Sequence, residues 1–374
     1  MKNPILFSFF SGSGFLDLGF ELNNFNVVFV NEYHKPFLEA YKYSRKKLNI
    51  APPIFGFNDS DISELVYGNL KAYLNSKVTE AKKSKQPVGF IGGPPCPDFS
   101  VGGKNRGSSG ENGMLTKTYI DCIIDNQPDF FIFENVKGLW RTKAHRKFYD
   151  AMKDDLYNSG YLLADRLTNS IEYSVPQDRD RIILFGIKKC NTSVANNDEL
   201  LSELSWNSYL KQDREKVISS FPWPTTNSYK ENVATKMPEE ISSLKELTIQ
   251  HWFDKNDVNN HPNSSHHFKP RAALKRFQSI EEGDVKKKSF KRLHRWRYSP
   301  TAAYGNNEVH IHPYKSRRLS AAEALAIQSL PKNFELPPYM SLSNMFKTIG
   351  NGVPYLLSEG IANMISDFLE KNYK

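Results

Sequence analysis

The sequence predicts an α/β fold, a mostly parallel sheet covered by helices, with an irregular domain inserted before the chain closes on two further helices. Three observations predict it. From Ile5 to Ile187 short apolar runs alternate with segments of helical spacing. Most of these runs are apolar at nearly every position, as strands covered on both faces must be. From 188 to 315 the alternation gives way to scattered prolines, many Asn and Ser, four of the five tryptophans and a basic stretch.

The elements follow in order. Ile5–Phe10 is the first strand and runs into the turn Ser11-Gly12-Ser13-Gly14. Leu16–Leu22 has helical spacing, and Asn26–Asn31 is the second strand. Asp61–Tyr73 has the spacing of one helix, and Val88–Ile91 is a strand stopped by Gly92-Gly93-Pro94-Pro95. Tyr119–Asp125 is helical, Asp129–Phe133 a strand, Lys147–Asn158 a helix and Ile182–Ile187 another strand. Ser320–Ser329 opens with a serine able to cap it and Glu323 placed to complete a capping box. A last helix, 354–370, begins on Pro354, which the first turn tolerates. Residues 1–187 and 316–374 are thus expected to form one domain and 188–315 another.

The 374 residues, 39% of them hydrophobic, can support a packed core, which excludes wholesale disorder. Three cysteines, Cys96, Cys122 and Cys190, are too few for a disulfide scaffold and fit a reducing, cytoplasmic setting. No apolar run approaches a membrane span. The early run ending at Phe10 is too short for a signal peptide and soon meets Asp17 and Glu21. The net charge of +9 is concentrated: residues 265–297 hold eleven Lys and Arg against three acids. Phe268, Phe277, Phe290 and Trp296 interleave them. Such a stretch is either a solvated basic surface or a face that neutralises phosphates.

Four segments carry chemistry. The glycine turn after the first strand lets backbone approach a ligand at the sheet's carboxyl edge, and Glu32 ends the second strand where an acid can accept two ribose hydroxyls. The spacing is not G-x-G-x-x-G, because Leu16 and Asp17 follow Phe15. In Gly92–Ser100 two prolines stiffen the approach to Cys96, a potential nucleophile, and the cationic Gly102–Gly107 loop follows. In Phe130–Val136 the apolar strand ends on Glu134, whose carboxyl burial should raise in pKa. Gln177-Asp178-Arg179-Asp180-Arg181 precedes the last strand and sets two arginines two residues apart, suited to anions. Each segment alone also has a bland reading: a tight turn, an inert buried Cys, a helix-capping Glu, a solvated charged strand end.

Together and in this order, these segments resemble the DNA (cytosine-5) methyltransferases of bacterial type II restriction–modification systems. The resemblance spans Phe7 to about Ile187 and Arg317 to the end, where Ile349-Gly350-Asn351-Gly352-Val353 joins the set. It implies a Rossmann-like domain that binds S-adenosylmethionine, plus a target-recognition domain over 188–315. Phe10, Ser11, Gly12 and Gly14 would be the cofactor loop, Glu32 the ribose acceptor and Tyr33 an adenine neighbour. Asp61 and Ile62 would meet the adenine edge, and Asn351 the methionine end. Cys96 would be the nucleophile, Glu134 the group at cytosine N3 and Arg181 a contact to O2. Arg179 and Ser100 would support the loop and backbone phosphates. Pro94, Lys104, Arg106 and Asn135 would lie along the substrate. The basic stretch would face double-stranded DNA through Arg271, Lys275, Arg276, Lys286, Lys287, Lys288, Lys291, Arg292, Arg295 and Arg297.

Three positions depart from the family pattern: Pro97 where Gln is usual, Ser8 where the first strand often carries an acid, and Phe15 where a second Gly is usual. The implied reaction flips a cytosine from the duplex, adds Cys96 to C6 and methylates C5, with no metal and no membrane. A restriction endonuclease encoded nearby would be the functional partner, without a stable complex. An RNA cytosine-5 methyltransferase shares the same sheet motifs, and an idle DNA-binding regulator would keep the fold without the reaction. A zinc module built from His251, His261, His266 and His267 lacks nearby cysteines and any common spacing.

Overall fold

The computed structural model describes residues 3–95, 111–287, 289–302, 304 and 309–374, without the side chains at 111, 112, 144 and 271. The sheet strands are β1 (Ile5–Phe9), β2 (Asn26–Asn31), β3 (Phe57–Asn58), β4 (Val88–Gly92), β5 (Phe130–Val136), β6 (Tyr161–Asn169) and β8 (Asp180–Lys188). A two-residue strand, β7 (Gln177–Asp178), leads into the last of these. The seven lie in the order β3-β2-β1-β4-β5-β8-β6. All contacts from β3 to β5 are parallel, whereas β8 runs antiparallel to both its neighbours.

Alternating side chains on these strands feed two cores. Leu6, Ile91, Phe130 and Ile132 point into one, while Phe7, Phe9, Phe131 and Phe133 point into the other. The first core takes Phe20 from α1 (Phe15–Glu21) and a row of apolar residues from the C-terminal helix Tyr355–Asn372. The second takes α3 (Ile62–Val66), α4 (Lys71–Lys82), α5 (Glu111–Asn126) and, past the single turn α6 (Gly138–Arg141), α7 (Lys143–Asn158). Burial on both faces is the reason for the strands' continuous apolar runs.

Several elements differ from expectation. The segment 61–73 forms two helices, because Tyr67 and Gly68 both donate to Ser63 O and close the first after five residues. A helix, α2 (Lys35–Lys47), and strand β6 were not anticipated. Packing does not change at residue 187. Leu200 and Leu204 of α8 (Asn197–Leu204) and Trp206 join the first core, and Thr192 bridges to Tyr373.

Beyond about residue 211 the elements are short. They are α9 (Arg214–Ser219), α10 (Ile249–Lys255), α11 (Leu274–Ser279) and the two-residue strands β9 (Lys291–Arg292), β10 (Ser299–Pro300) and β11 (His310–Ile311). They pack around Val217, Trp223, Ile241 and Tyr298, and around Phe277, Val309 and Ile311. Then α12 (Ala321–Ile327), capped by Ser320 with Glu323 reciprocating, lays Ala322, Ala326 and Ile327 on Trp252 and Phe253 of α10. The chain ends with α13 (Leu342–Asn351) and α14 (Tyr355–Asn372). α14 returns to the start of the fold, where Ser358 Oγ donates to Leu16 O.

Candidate active site

The strand order reverses between β1 and β4, which opens a crevice at the carboxyl edge. On one side of it Phe10, Gly12 and Gly14 all have positive φ, 52°, 57° and 77°. Such a turn favours glycine, and a Cβ built on Gly12 meets nothing within 4 Å, so open space lies above it. The Glu32 carboxylate accepts Gly12 N–H on Oε2 and His34 N–H on Oε1, each at 2.7 Å. Burial raises its pKa, and these two N–H groups pull it back down. Each oxygen therefore keeps acceptor capacity, as binding a vicinal diol requires.

Tyr33, next to it, is 68% exposed. Asn31 Nδ2 donates to Asn58 Oδ1 and Ser60 O at 2.9 Å and so holds the approach to Asp61. Asp61 Oδ1 caps α3 through Ser63 N–H. The Ile62 side chain is spent in the core, so only its backbone can face a ligand. Ser11 is tied to Asn31 O. Asn351 stands exposed at the end of α13. This donor and acceptor set, with an open glycine turn, fits an adenosine-type cofactor.

One residue of this cradle, Thr348, went unanticipated. Ser13 and Thr348 share a buried 2.7 Å hydroxyl contact that ties the turn to α13. The Thr348 side chain is short and polar beside a motif position, which is the only signal available in the sequence. Two family departures also find their neighbours here. Phe15 is buried against Phe334 and occupies the space that a Cβ on Gly352 would need. Ser8 leaves the first strand without an acid, and Asp17 brings one to the same place from α1.

On the other side of the crevice Glu134 lies in the last three residues of β5. The antiparallel course of β8 matters here: it starts at the carboxyl edge and pairs Arg181 with Val136, beside Glu134. Arg181 Nε sits 2.7 Å from Glu134 Oε1, both nearly buried, and Arg181 Nη1 donates to Asp180 O. Burial raises the Glu134 pKa, against the pull of Arg181 and Arg179. Gly93, just past β4, passes so close that a Cβ there would lie 2.7 Å from Glu134 Oε2. The segment leading to Cys96 therefore runs against the carboxylate.

Other expected contacts take different roles. Arg179, expected beside phosphates, is 1% exposed and donates to the carbonyls of Ala302 and Gly350. It braces the recognition segment against the α13 turn. Pro94 and Asn135 are buried, and Asn135 Oδ1 takes Val136 N–H. Arg292, expected to face DNA, is 0% exposed and donates to the carbonyls of Ile280, Phe277, His312 and Lys315. Arg295 is buried in a two-armed pair with Glu282 and also holds Val233 O. Both are internal struts, because ordered carbonyls and a carboxylate replace the water they lose. Arg297 is half-buried against Pro224 O, and Lys291 is also half-buried. Lys275, Arg276, Lys286 and Lys287 are exposed, with Arg276 stacked on Phe290. Cys96, Ser100, Lys104, Arg106, Lys288 and the Arg271 side chain lie outside the described residues.

Among the described residues, no three His, Cys, Asp or Glu side chains gather as a metal site, and no helix is long and apolar enough to cross a membrane. His261 and His266 bond the carbonyls of Phe334 and Pro338.

A Rossmann-like sheet with one antiparallel strand, an acidic ribose-type acceptor and a buried Glu–Arg pair at the switch point defines a methyltransferase of the S-adenosylmethionine-dependent class. The family model for C-5 cytosine-specific DNA methylases matches residues 6–367, and the chain belongs to that family. It is 55% identical to the type II methyltransferase M.NmeDI of Neisseria meningitidis serogroup C, over 100% of this chain and 86% of that one. It is 27% identical to M.FnuDI of Fusobacterium nucleatum, over 99% and 96%. Among solved structures, a prophage-encoded methyltransferase from E. coli matches with a TM-score of 0.65 at 19% identity, covering 98% of this chain and 99% of that one. A DNMT2 variant from Spodoptera frugiperda matches at 0.56 and 13% identity, covering 98% and 100%. At those identities the likeness is one of fold.

Proposed function

We propose that this protein is the sequence-specific DNA cytosine-5 methyltransferase of a restriction–modification system, acting in the cytoplasm beside a separately folded endonuclease. The observation that supports it best is the approach of Gly93, three positions before Cys96 in the sequence, to a buried acid, Glu134, paired with Arg181. The target-recognition domain is taken to span about 211–315, since residues up to 210 pack on the sheet.

The target cytosine leaves the duplex, at a cost of a few kcal/mol. Cys96, as thiolate, adds to C6. Glu134 holds a proton at N3, so negative charge does not build on the ring, and Arg181 supports O2. S-adenosylmethionine, when bound, supplies an activated methyl group for C5. Glu32 would hold its ribose, Asp61 and Tyr33 its adenine, and the Gly12–Gly14 turn with Asn351 its methionine end. Removal of the C5 proton and release of Cys96 restore the aromatic ring.

Bisulfite sequencing of host DNA after expression tests activity and target together. Protection at one short motif is expected, and it should vanish for Cys96→Ala while duplex binding persists. Absent or random protection would overturn the proposal, as would methylation confined to tRNA.

A further inference from the structure

Arg45 lies near the end of α2, and its side chain is 3% exposed. Its Nη2 donates to Gly14 O at 2.6 Å, while Nε and Nη2 stand 2.7 and 2.6 Å from Glu21 Oε2. The guanidinium also covers the Tyr41 ring at 4.2 Å. A Cβ on Gly14 would come within 2.5 Å of both Arg45 Nη2 and Tyr41 Cε2, so these two side chains form the floor of the glycine turn. A buried ion pair of this kind adds little net stability over an apolar substitute, because desolvation offsets the attraction. What the pair does supply is a fixed donor beneath one carbonyl.

That donor, together with Leu18 N–H, sets a peptide plane. In a trans peptide the N–H points opposite to the C=O. With Gly14 C=O taken both by Arg45 and by Leu18 N–H at 3.0 Å, the first bond of α1, Phe15 N–H points away from the buried cluster. At the other end of the turn, Gly12 N–H is held by Glu32, which also takes the N–H of His34 at the start of α2. Helix α2 therefore grips the turn twice: at Gly12 through its N-terminal residue and Glu32, and at Gly14 through Arg45.

We propose that Arg45 is a positioning residue for the methyl donor: by holding Gly14 O it helps to orient the turn's peptide groups toward the cofactor, with Glu21 present to keep that guanidinium aimed. This rests on assigning the turn to S-adenosylmethionine.

The test is calorimetric binding of S-adenosylhomocysteine to the full-length protein, alongside binding of a DNA duplex and turnover. In a buffer whose pH is well below the raised Asp17 pKa, which keeps that buried neighbour uncharged as well, the double variant Glu21→Gln with Arg45→Met removes both members of the pair. It should weaken S-adenosylhomocysteine at least tenfold and raise the donor KM in step. DNA affinity and kcat at saturating donor should stay within about threefold. Arg45→Lys keeps a cation beside Glu21 but gives up the two-armed reach. It should show the same split at a smaller size, and it serves if the double variant does not fold. Unchanged S-adenosylhomocysteine affinity in a folded variant would overturn the proposal, as would an equal loss of DNA and cofactor binding. Failure of the unaltered protein to bind S-adenosylhomocysteine would overturn the cofactor assignment itself, and Arg45's role with it.

Discussion

Arg181 Nε lies 2.7 Å from Glu134 Oε1, yet neither atom has a hydrogen bond of good geometry. The two charges are paired in a buried place while the donor and acceptor remain incompletely satisfied, an arrangement costly to keep without a ligand. A cytosine ring, with an acceptor at O2 and at N3 an atom that can be protonated, would complete both.

Glu134→Gln therefore separates chemistry from binding. The amide keeps the shape but cannot deliver a proton to N3, and the methylation rate should fall on the order of a hundredfold. S-adenosylhomocysteine affinity should change by less than about twofold. In the unaltered enzyme the rate should decline with rising pH as Glu134, whose pKa burial raises, loses its proton. The variant should lack that decline. Retention of the alkaline limb, or collapse of cofactor binding, would assign Glu134 to structure.

Asp17 gives stability a pH dependence with a definite sign. Burial first and Glu21 second push its pKa from 3.8 up to about 7, with Arg45, Ser8 and Tyr41 opposing. Between those values the folded state binds more protons than the unfolded one. Its contribution is therefore lost as pH rises through that window, and the loss is complete above it. A shift of about three units corresponds to on the order of 4 kcal/mol. Asp17→Asn should unfold at clearly higher urea concentration than the unaltered protein at pH 8 and at nearly the same concentration near pH 4. Equal midpoints at pH 8 would mean that Asp17 titrates normally.

The basic stretch divides into struts and contacts, and salt distinguishes them. Replacing exposed Lys286 and Lys287 by Gln should weaken binding to all duplexes alike. If both meet phosphates, the salt slope should flatten by about 0.9 per contact. Arg292→Met should instead lower the thermal midpoint, because five backbone carbonyls, at Phe277, Ile280, His312, Pro313 and Lys315, lose their donor. Folded Arg292→Met with a reduced salt slope would return Arg292 to the DNA face.

The difference between Lys286 and Arg292 marks what sequence can and cannot reveal. Strands β1, β4 and β5 were legible because burial on both faces writes an unbroken apolar run. Strand β6 was not, since Asp165 and Arg166 interrupt it while pairing with Lys153 and Glu172. Helix α2 was missed because its lysines mask Phe37, Leu38 and Tyr41, which face the core. Glu32 and Glu134 could be singled out in the sequence because strand ends at a carboxyl edge are natural ligand positions. Arg45, Arg179 and Arg292 are charged residues placed inside by carbonyls distant in sequence, and no local pattern announces that. The Ser13–Thr348 contact spans 335 positions and depends entirely on the return of the last helices.

Gly93→Ala probes the join between the β4 edge and the acid without touching either reacting group. The new methyl carbon would sit 2.7 Å from Glu134 Oε2, closer than real contacts allow, so something must move. The carboxylate is the freer partner, being the far end of a side chain, but its other oxygen is already against Arg181. It should swing away from the crevice and carry the N3 contact with it. The expected result is a tenfold or greater fall in kcat, a donor KM within twofold and an unchanged thermal midpoint. Because Gly93 is not among the positive-φ residues, backbone strain does not confuse the outcome. A fall in stability with kcat preserved would mean that the segment toward Cys96 yields instead, and that Glu134 is anchored more firmly than the pocket itself.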